Sequence, residues 1–167
     1  MRLFFALWPS AETARALGEW ADEVRGRTGG RATVPETIHL TLAFLGEAAS
    51  PRAVAAARRV HGKIFSLPVD MAKYWRHNRI IWAGPAALPA PLKQLAGDLR
   101  RELLREEFVL EAREFAAHVT LVRKAGPPEF LPPLPRLDWP VQEFVLVRSV
   151  NSGGASRYET LQSWPLA

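Results

Sequence analysis

Two periodicities alternate along this chain. "RLFFALW" (2–8) is a short, β-prone apolar run closed by Pro9, the pattern of a central first strand. Ser10 can cap the helix predicted through "AETARALGEWADEVRGR", where Ala14, Leu17, Trp20, Ala21 and Val24 recur at helical spacing. "TGGR" ends that helix, and "TIHLTLAFLG" (37–46) predicts a second strand stopped by Gly46. Ser50-Pro51 then opens a second helix through "RAVAAARRVHGKI", with Pro51 suited to the first helical position. "LPVDMAKYWRHNRIIWAG" reads as two strands about a turn at His77-Asn78.

Pro89 and Pro91 precede a third helix, "LKQLAGDLRRELLREE", whose Leu92, Leu95, Leu99 and Leu103 form a stripe to bury. "REFAAHVTLVRK" (113–124) predicts another strand, and the Pro-rich "GPPEFLPPLPRLDWP" an extended surface loop rather than a domain linker. "QEFVLVRSV" and "RYETLQSWPL" close the chain as two strands about "NSGGAS". Mixed elements with several hairpin-like strand pairs predict an α+β fold with antiparallel sheets, in one domain spanning 1–167. A faint internal repeat, in which each His-x-Thr-Leu strand follows a helix, suggests two similar lobes facing each other.

That repeat carries the candidate chemistry. "HLTLAFLG" begins with His39 and Thr41, and "HVTLVRK" with His118 and Thr120. Alternate side chains of a strand share a face, so each His points with its Thr while the intervening apolar residues anchor the strand from behind. A lone His in such a setting is most often a half-buried structural residue. Here, however, two of only four His are each followed by Thr two places on and then by Leu. Brought together across a groove, two imidazoles and two hydroxyls suit phosphodiester cleavage without a metal. One imidazole takes the proton of the attacking water, the other protonates the leaving oxygen, and the hydroxyls hold the non-bridging oxygens. Arg123 is the natural cation for the same phosphate. It lies three residues past Thr120, so a regular strand would turn it to the opposite face, and a bulge or twist is needed to bring it round.

Among the aromatics, Phe44 and Trp75 are candidates to stack a nucleobase at the groove edge. His61, on the predicted second helix, and His77, in the predicted turn, are expected to face solvent. No metal is expected, because the motif histidines lack patterned carboxylates and no His-Glu-x-x-His spacing occurs.

Composition narrows the setting. The 167 residues are 48% hydrophobic and contain no cysteine, which excludes disulfides and Cys-based zinc sites and supplies material for a core. The formal charge is +5, which favours anionic partners, nucleic acid among them. "MRLFFALWPS" has too short an apolar run for a signal peptide, and no stretch approaches the ~20 residues that cross a bilayer. A soluble cytoplasmic protein is therefore expected.

Four stretches together, "RLFFALWP", "HLTLAFLG", "HVTLVRK" and the closing "S…GGASRYETLQSWPL", resemble the two-histidine (2H) phosphoesterase superfamily, specifically its RNA 2′,3′-cyclic phosphodiesterases, historically called 2′–5′ RNA ligases. The resemblance implies two pseudo-symmetric lobes with helices outside and a central cleft crossed by the two motif strands. It also implies metal-free, cofactor-free hydrolysis of RNA 2′,3′-cyclic phosphate ends to 2′-phosphates by a monomer, with tRNA fragments one source of such ends. It casts His39 as proton donor, His118 as proton acceptor, and Thr41, Thr120 and Arg123 as phosphate-binding residues. Ala117 stands where the family commonly has Pro, a change that removes no chemical group, and the small "SGGAS" turn leaves the role of Tyr158 open. Other readings on the same residues are a phosphodiesterase for small cyclic-phosphate nucleotides or 2′–5′ linked oligonucleotides, and an RNA-binding or end-joining protein.

Overall fold

The computed structural model describes the backbone of residues 1–167 and every side chain except those of Ser152 and Ala155, which belong to the stretch read as the closing turn. Three helices and ten strands make up an α+β fold. Strand β1 (Arg2–Leu7) lies inside a four-stranded antiparallel sheet, between β3 (Leu40–Glu47) and β9 (Glu143–Ser152), with β10 (Ala155–Pro165) outermost. A second four-stranded sheet runs β2 (Arg31–Ala32), β7 (Val119–Arg123), β6 (Ile80–Gly84), β5 (Met71–Trp75). A third pair, β4 (Phe65–Ser66) with β8 (Pro140–Val141), ties the Pro-rich loop down.

The helices cover the backs of the sheets. Helix α1 (Ala11–Thr28) is capped as its sequence demands, Ser10 Oγ accepting the Thr13 amide at 3.1 Å, and packs behind β2 and β7 of the second sheet. Helices α2 (Ser50–Arg58) and α3 (Ala90–Arg105) pair with each other, and α3 lies against β3 of the first sheet. Leu92, Leu95, Leu99 and Leu103 are buried, and one continuous apolar core joins them to Leu17 and Trp20 of α1 and to the inner faces of both sheets. The sheet faces turned away from the helices border the cleft. Among the described residues no helix is long and apolar enough to cross a membrane.

Both motif strands are shorter than their sequences predict. The ladder of β3 begins at Leu40, after a single 3₁₀ turn at Pro35–Thr37, and that of β7 begins at Val119. His39 and His118 therefore sit just before their strands, where the backbone carbonyls two residues earlier are unclaimed by a ladder and free to meet the imidazoles. Residues 113–117, expected to extend the strand, form a loop beside the cleft. Helix α2 stops at Arg58, so His61 lies beyond it, exposed in the following connection. At Gly84 a Cβ would stand 2.7 Å from the Ala117 carbonyl oxygen, so glycine lets β6 approach the backbone that carries His118.

Candidate active site

The two motifs share one irregularity. In β3, Phe5 of β1 pairs with Ala43 and Ala6 pairs with Thr41, which leaves Leu42 as an extra residue. In β7, Ile81 pairs with Val122 and Trp82 with Thr120, which leaves Leu121 as the extra residue. Each bulge falls on the Leu of a His-x-Thr-Leu motif and flips the side-chain alternation beyond it. Val122 is thereby buried and Arg123 returns to the cleft face, as Phe44 does in β3 opposite Phe4. Phe44 and Arg123 each lie five residues past their histidine, so the repeat presents a ring on one side and a guanidinium on the other. The turn beyond Arg123 is pinned: Arg79 donates to the carbonyls of Lys124 (3.1 Å) and Ala125 (3.3 Å), and the Tyr74 hydroxyl donates to Ala125 O at 2.9 Å.

Both imidazoles are held in the same way. His39 Nδ1 lies 2.7 Å from Thr37 O and His118 Nδ1 lies 2.9 Å from Ala116 O. A carbonyl only accepts, so each Nδ1 carries the proton and each Nε2 is left for chemistry. In the neutral ring His39 Nε2 accepts from the Thr41 hydroxyl, at 3.0 Å. Rings enclose both groups. Phe4, Tyr158 and Trp8 stand 5.0, 5.4 and 5.7 Å from the His39 centroid, and Trp75 and Trp82 stand 4.7 and 6.3 Å from that of His118. Burial, opposed by the Thr37 carbonyl and aided by the charges of Arg123 and His118, lowers the His39 pKa from 6.5 to about 4. Burial also lowers His118, against the pull of Ala116 O and with help from Arg113 and Arg123. Both rings are thus neutral at pH 7.

The cleft has two chambers that meet at Thr41 and Phe44. One, of about 520 Å³, is lined by His118 with Trp75, Phe115, Ile80 and Leu110, and carries Arg100 and Arg113 on its wall. The other, of about 380 Å³, holds His39 and Arg123 with Arg2, Ser149, Asn151 and Tyr158. His39, Thr41, Phe44, Trp75, His118 and Arg123 are thus gathered around one space. Thr120 is half-buried opposite Trp82 and lies outside the walls of both chambers, and His77, exposed in its turn, lines the first. Arg2, Arg100 and Arg113 escape notice in the sequence. For Arg2 a signal existed, because strand alternation from Arg2 through Phe4 to Ala6 puts it on the cleft face. Among the described residues no three His, Cys, Asp or Glu side chains gather as a metal site would require.

Comparison with known proteins identifies the family. Residues 7–82, which contain the first motif, match the LigT-like phosphoesterase profile. The RNA 2′,3′-cyclic phosphodiesterase of Escherichia coli K12 is 35% identical over 99% of this chain and 96% of its own length. The chain belongs to the LigT-like phosphoesterase family. A second LigT-like relative, the RNA 2′,3′-cyclic phosphodiesterase of Thermus thermophilus, is 33% identical over 99% of this chain and 90% of its own. The crystal structure of E. coli LigT complexed with 3′-AMP superposes with a TM-score of 0.91 at 34% identity, covering 99% of this chain and 97% of that one. These matches cover 99% of this chain, a span that takes in the stretch of β7 beyond the reach of the family profile.

Proposed function

We propose that this protein hydrolyses 2′,3′-cyclic phosphate ends of RNA to 2′-phosphomonoesters, with His39 and His118 as the proton-transfer pair. The observation that carries this reading is the paired anchoring of Nδ1 on Thr37 O and Ala116 O, which leaves two Nε2 atoms on a cleft that also holds Arg123. Names borne by relatives at full-length similarity support the substrate class. Water attacks phosphorus as His118 Nε2 takes its proton, the bond from phosphorus to the 3′ oxygen breaks, and protonated His39 gives its Nε2 proton to that oxygen. The 2′ ester bond is kept. Arg123 and the Thr41 hydroxyl, released from His39 Nε2, neutralise the non-bridging oxygens. Thr120 has the motif position to assist. Cyclic-phosphate ends of tRNA fragments are one source of substrate, and Phe44 and Trp75, which line the cleft, stack the terminal base.

A short RNA ending in a 2′,3′-cyclic phosphate, incubated with the protein in EDTA, tests the reading when 2′- and 3′-phosphate products are resolved. Conversion to the 2′-phosphate is expected, with a loss of about a hundredfold or more in His39→Ala and in His118→Ala. The double variant should lose little more than the worse single one, because the pair acts as a unit. A 3′-phosphate product, or full activity in either variant, would sink the assignment.

A further inference from the structure

The polar chamber is larger than one phosphate requires and contains more positive charge than one phosphate uses. Its floor is set by strand register. Across the first sheet Arg2 is paired with Ser149, Ser149 with Tyr158, and Asn151 with Ser156, so these side chains share the cleft face. All five line the chamber, and Arg2, opposite Glu47 in register, stands toward the end of β3 remote from His39. Arg123 occupies the His39 end, where its charge is felt by both imidazoles.

No acidic residue lines this chamber among the described residues. The carboxylate nearest Arg2 in register is Glu47 on β3, and it is taken by the Met1 amine at 3.0 Å. Two guanidiniums without a carboxylate between them repel each other, and an anion relieves that cost. Arg123 serves the reacting phosphate in the proposed reading, which leaves Arg2, without an ion-pair partner among the described residues, for a second anion. The Arg2 guanidinium carbon lies 5.4 Å from the centre of the Phe44 ring, the wall that both chambers share. A base stacked on the far side of that ring would therefore have its own sugar-phosphate linkage close to Arg2.

We infer that Arg2, with Ser149, Asn151 and Ser156, forms a second anion subsite that takes the internucleotide phosphate on the 5′ side of the reacting end. The inference rests on the cyclic phosphodiesterase reading and adds to it a preference for polynucleotide over mononucleotide. The guanidinium fork supplies the charge and paired donors, and the hydroxyls and amide of β9 and β10 complete the shell.

The test compares two substrates, adenosine 2′,3′-cyclic phosphate and an adenylyl dinucleotide ending in the same cyclic phosphate. The wild-type protein is expected to favour the dinucleotide in kcat/KM. Arg2→Gln should lose about tenfold on the dinucleotide, the worth of one charge-assisted hydrogen bond, and less than about threefold on the mononucleotide. Arg2→Lys should recover part of the preference, and Arg2→Gln should flatten the salt dependence on the dinucleotide by about 0.7 in the logarithmic slope. Equal losses on both substrates would place Arg2 on the reacting phosphate and overturn the subsite. So would an unchanged dinucleotide rate, or a wild-type protein with no preference. A wild-type protein inert on both substrates would instead remove the phosphodiesterase reading, and the subsite with it.

Discussion

His39 must carry a proton to serve as the acid, yet burial holds its pKa at about 4. Under the proposed roles the free protein is active only with His39 protonated and His118 neutral. Above pH 6.5 the protonated fraction of His39 falls tenfold per pH unit, so kcat/KM should decline as pH rises through neutrality. A bound phosphodiester beside the ring favours the imidazolium and raises its pKa, so the kcat profile should extend to higher pH than that of kcat/KM. Arg123→Gln removes a charge that depresses His39 and should move the kcat/KM limb upward in pH while lowering the rate. Profiles of kcat and kcat/KM that coincide, or a kcat/KM still rising above pH 7, would argue that His39 is not the acid. At this scale the sequence was informative: two His-x-Thr pairs among four His named the imidazoles and Thr41. It could not show that Nδ1 is tied to a carbonyl two residues back, because that depends on the chain leaving the ladder before each motif.

At the scale of elements, the bulges decide which side chains reach the cleft. Strict alternation from Thr120 sends Arg123 to the helix side, and from Thr41 it does the same to Phe44. The extra residues at Leu121 and Leu42 reverse both. Helices and long strands were legible because their apolar spacing repeats over several turns, as in Leu92, Leu95, Leu99 and Leu103. The two-residue strands β2, β4 and β8 were not, since Arg31–Ala32, Phe65–Ser66 and Pro140–Val141 carry no period and pair only because tertiary structure brings partners to them. Arg2 was hidden by the apolar run it opens. The equivalence of Phe44 and Arg123 in the repeat predicts opposite kinetic signatures. Phe44, 54% exposed, is free to stack, so Phe44→Ala should raise KM for RNA by the ~1–3 kcal/mol typical of a base-aromatic stack and leave kcat nearly unchanged. Arg123→Gln, under the proposed role of Arg123 on the reacting phosphate, should act chiefly on kcat. Steady-state kinetics on one cyclic-phosphate RNA separates the two, and a kcat defect in Phe44→Ala would count against the stacking role.

For the whole molecule, the two lobes share one core, so groups in the cleft and groups between the helices act on the same unfolding transition. Both kinds penalise acid, in different windows. His39 and His118 are neutral when folded, with pKa values below the 6.5 of an exposed imidazole. Between pH 6.5 and about 4 the unfolded chain binds protons that the folded chain refuses, and stability falls as pH falls through this range. Glu102, on α3, is hydrogen-bonded by Arg59 Nε at 2.7 Å and flanked by Arg105 at 3.2 Å, while Arg59 also reaches Glu106 at 2.7 Å. The hydrogen bond from Arg59 leads in pulling the Glu102 carboxyl below its usual 4.5, so the α2–α3 clamp is at full strength above that pH and weakens only as pH drops further. A melting-temperature series should therefore decline in two stages. A His39→Gln, His118→Gln double variant should flatten the stage between pH 6.5 and 4, and Glu102→Gln should lower the melting temperature at neutral pH and flatten the stage below 4.5. A single-stage decline untouched by the histidine replacements would mean that the cleft imidazoles are protonated in the folded state, contrary to their burial.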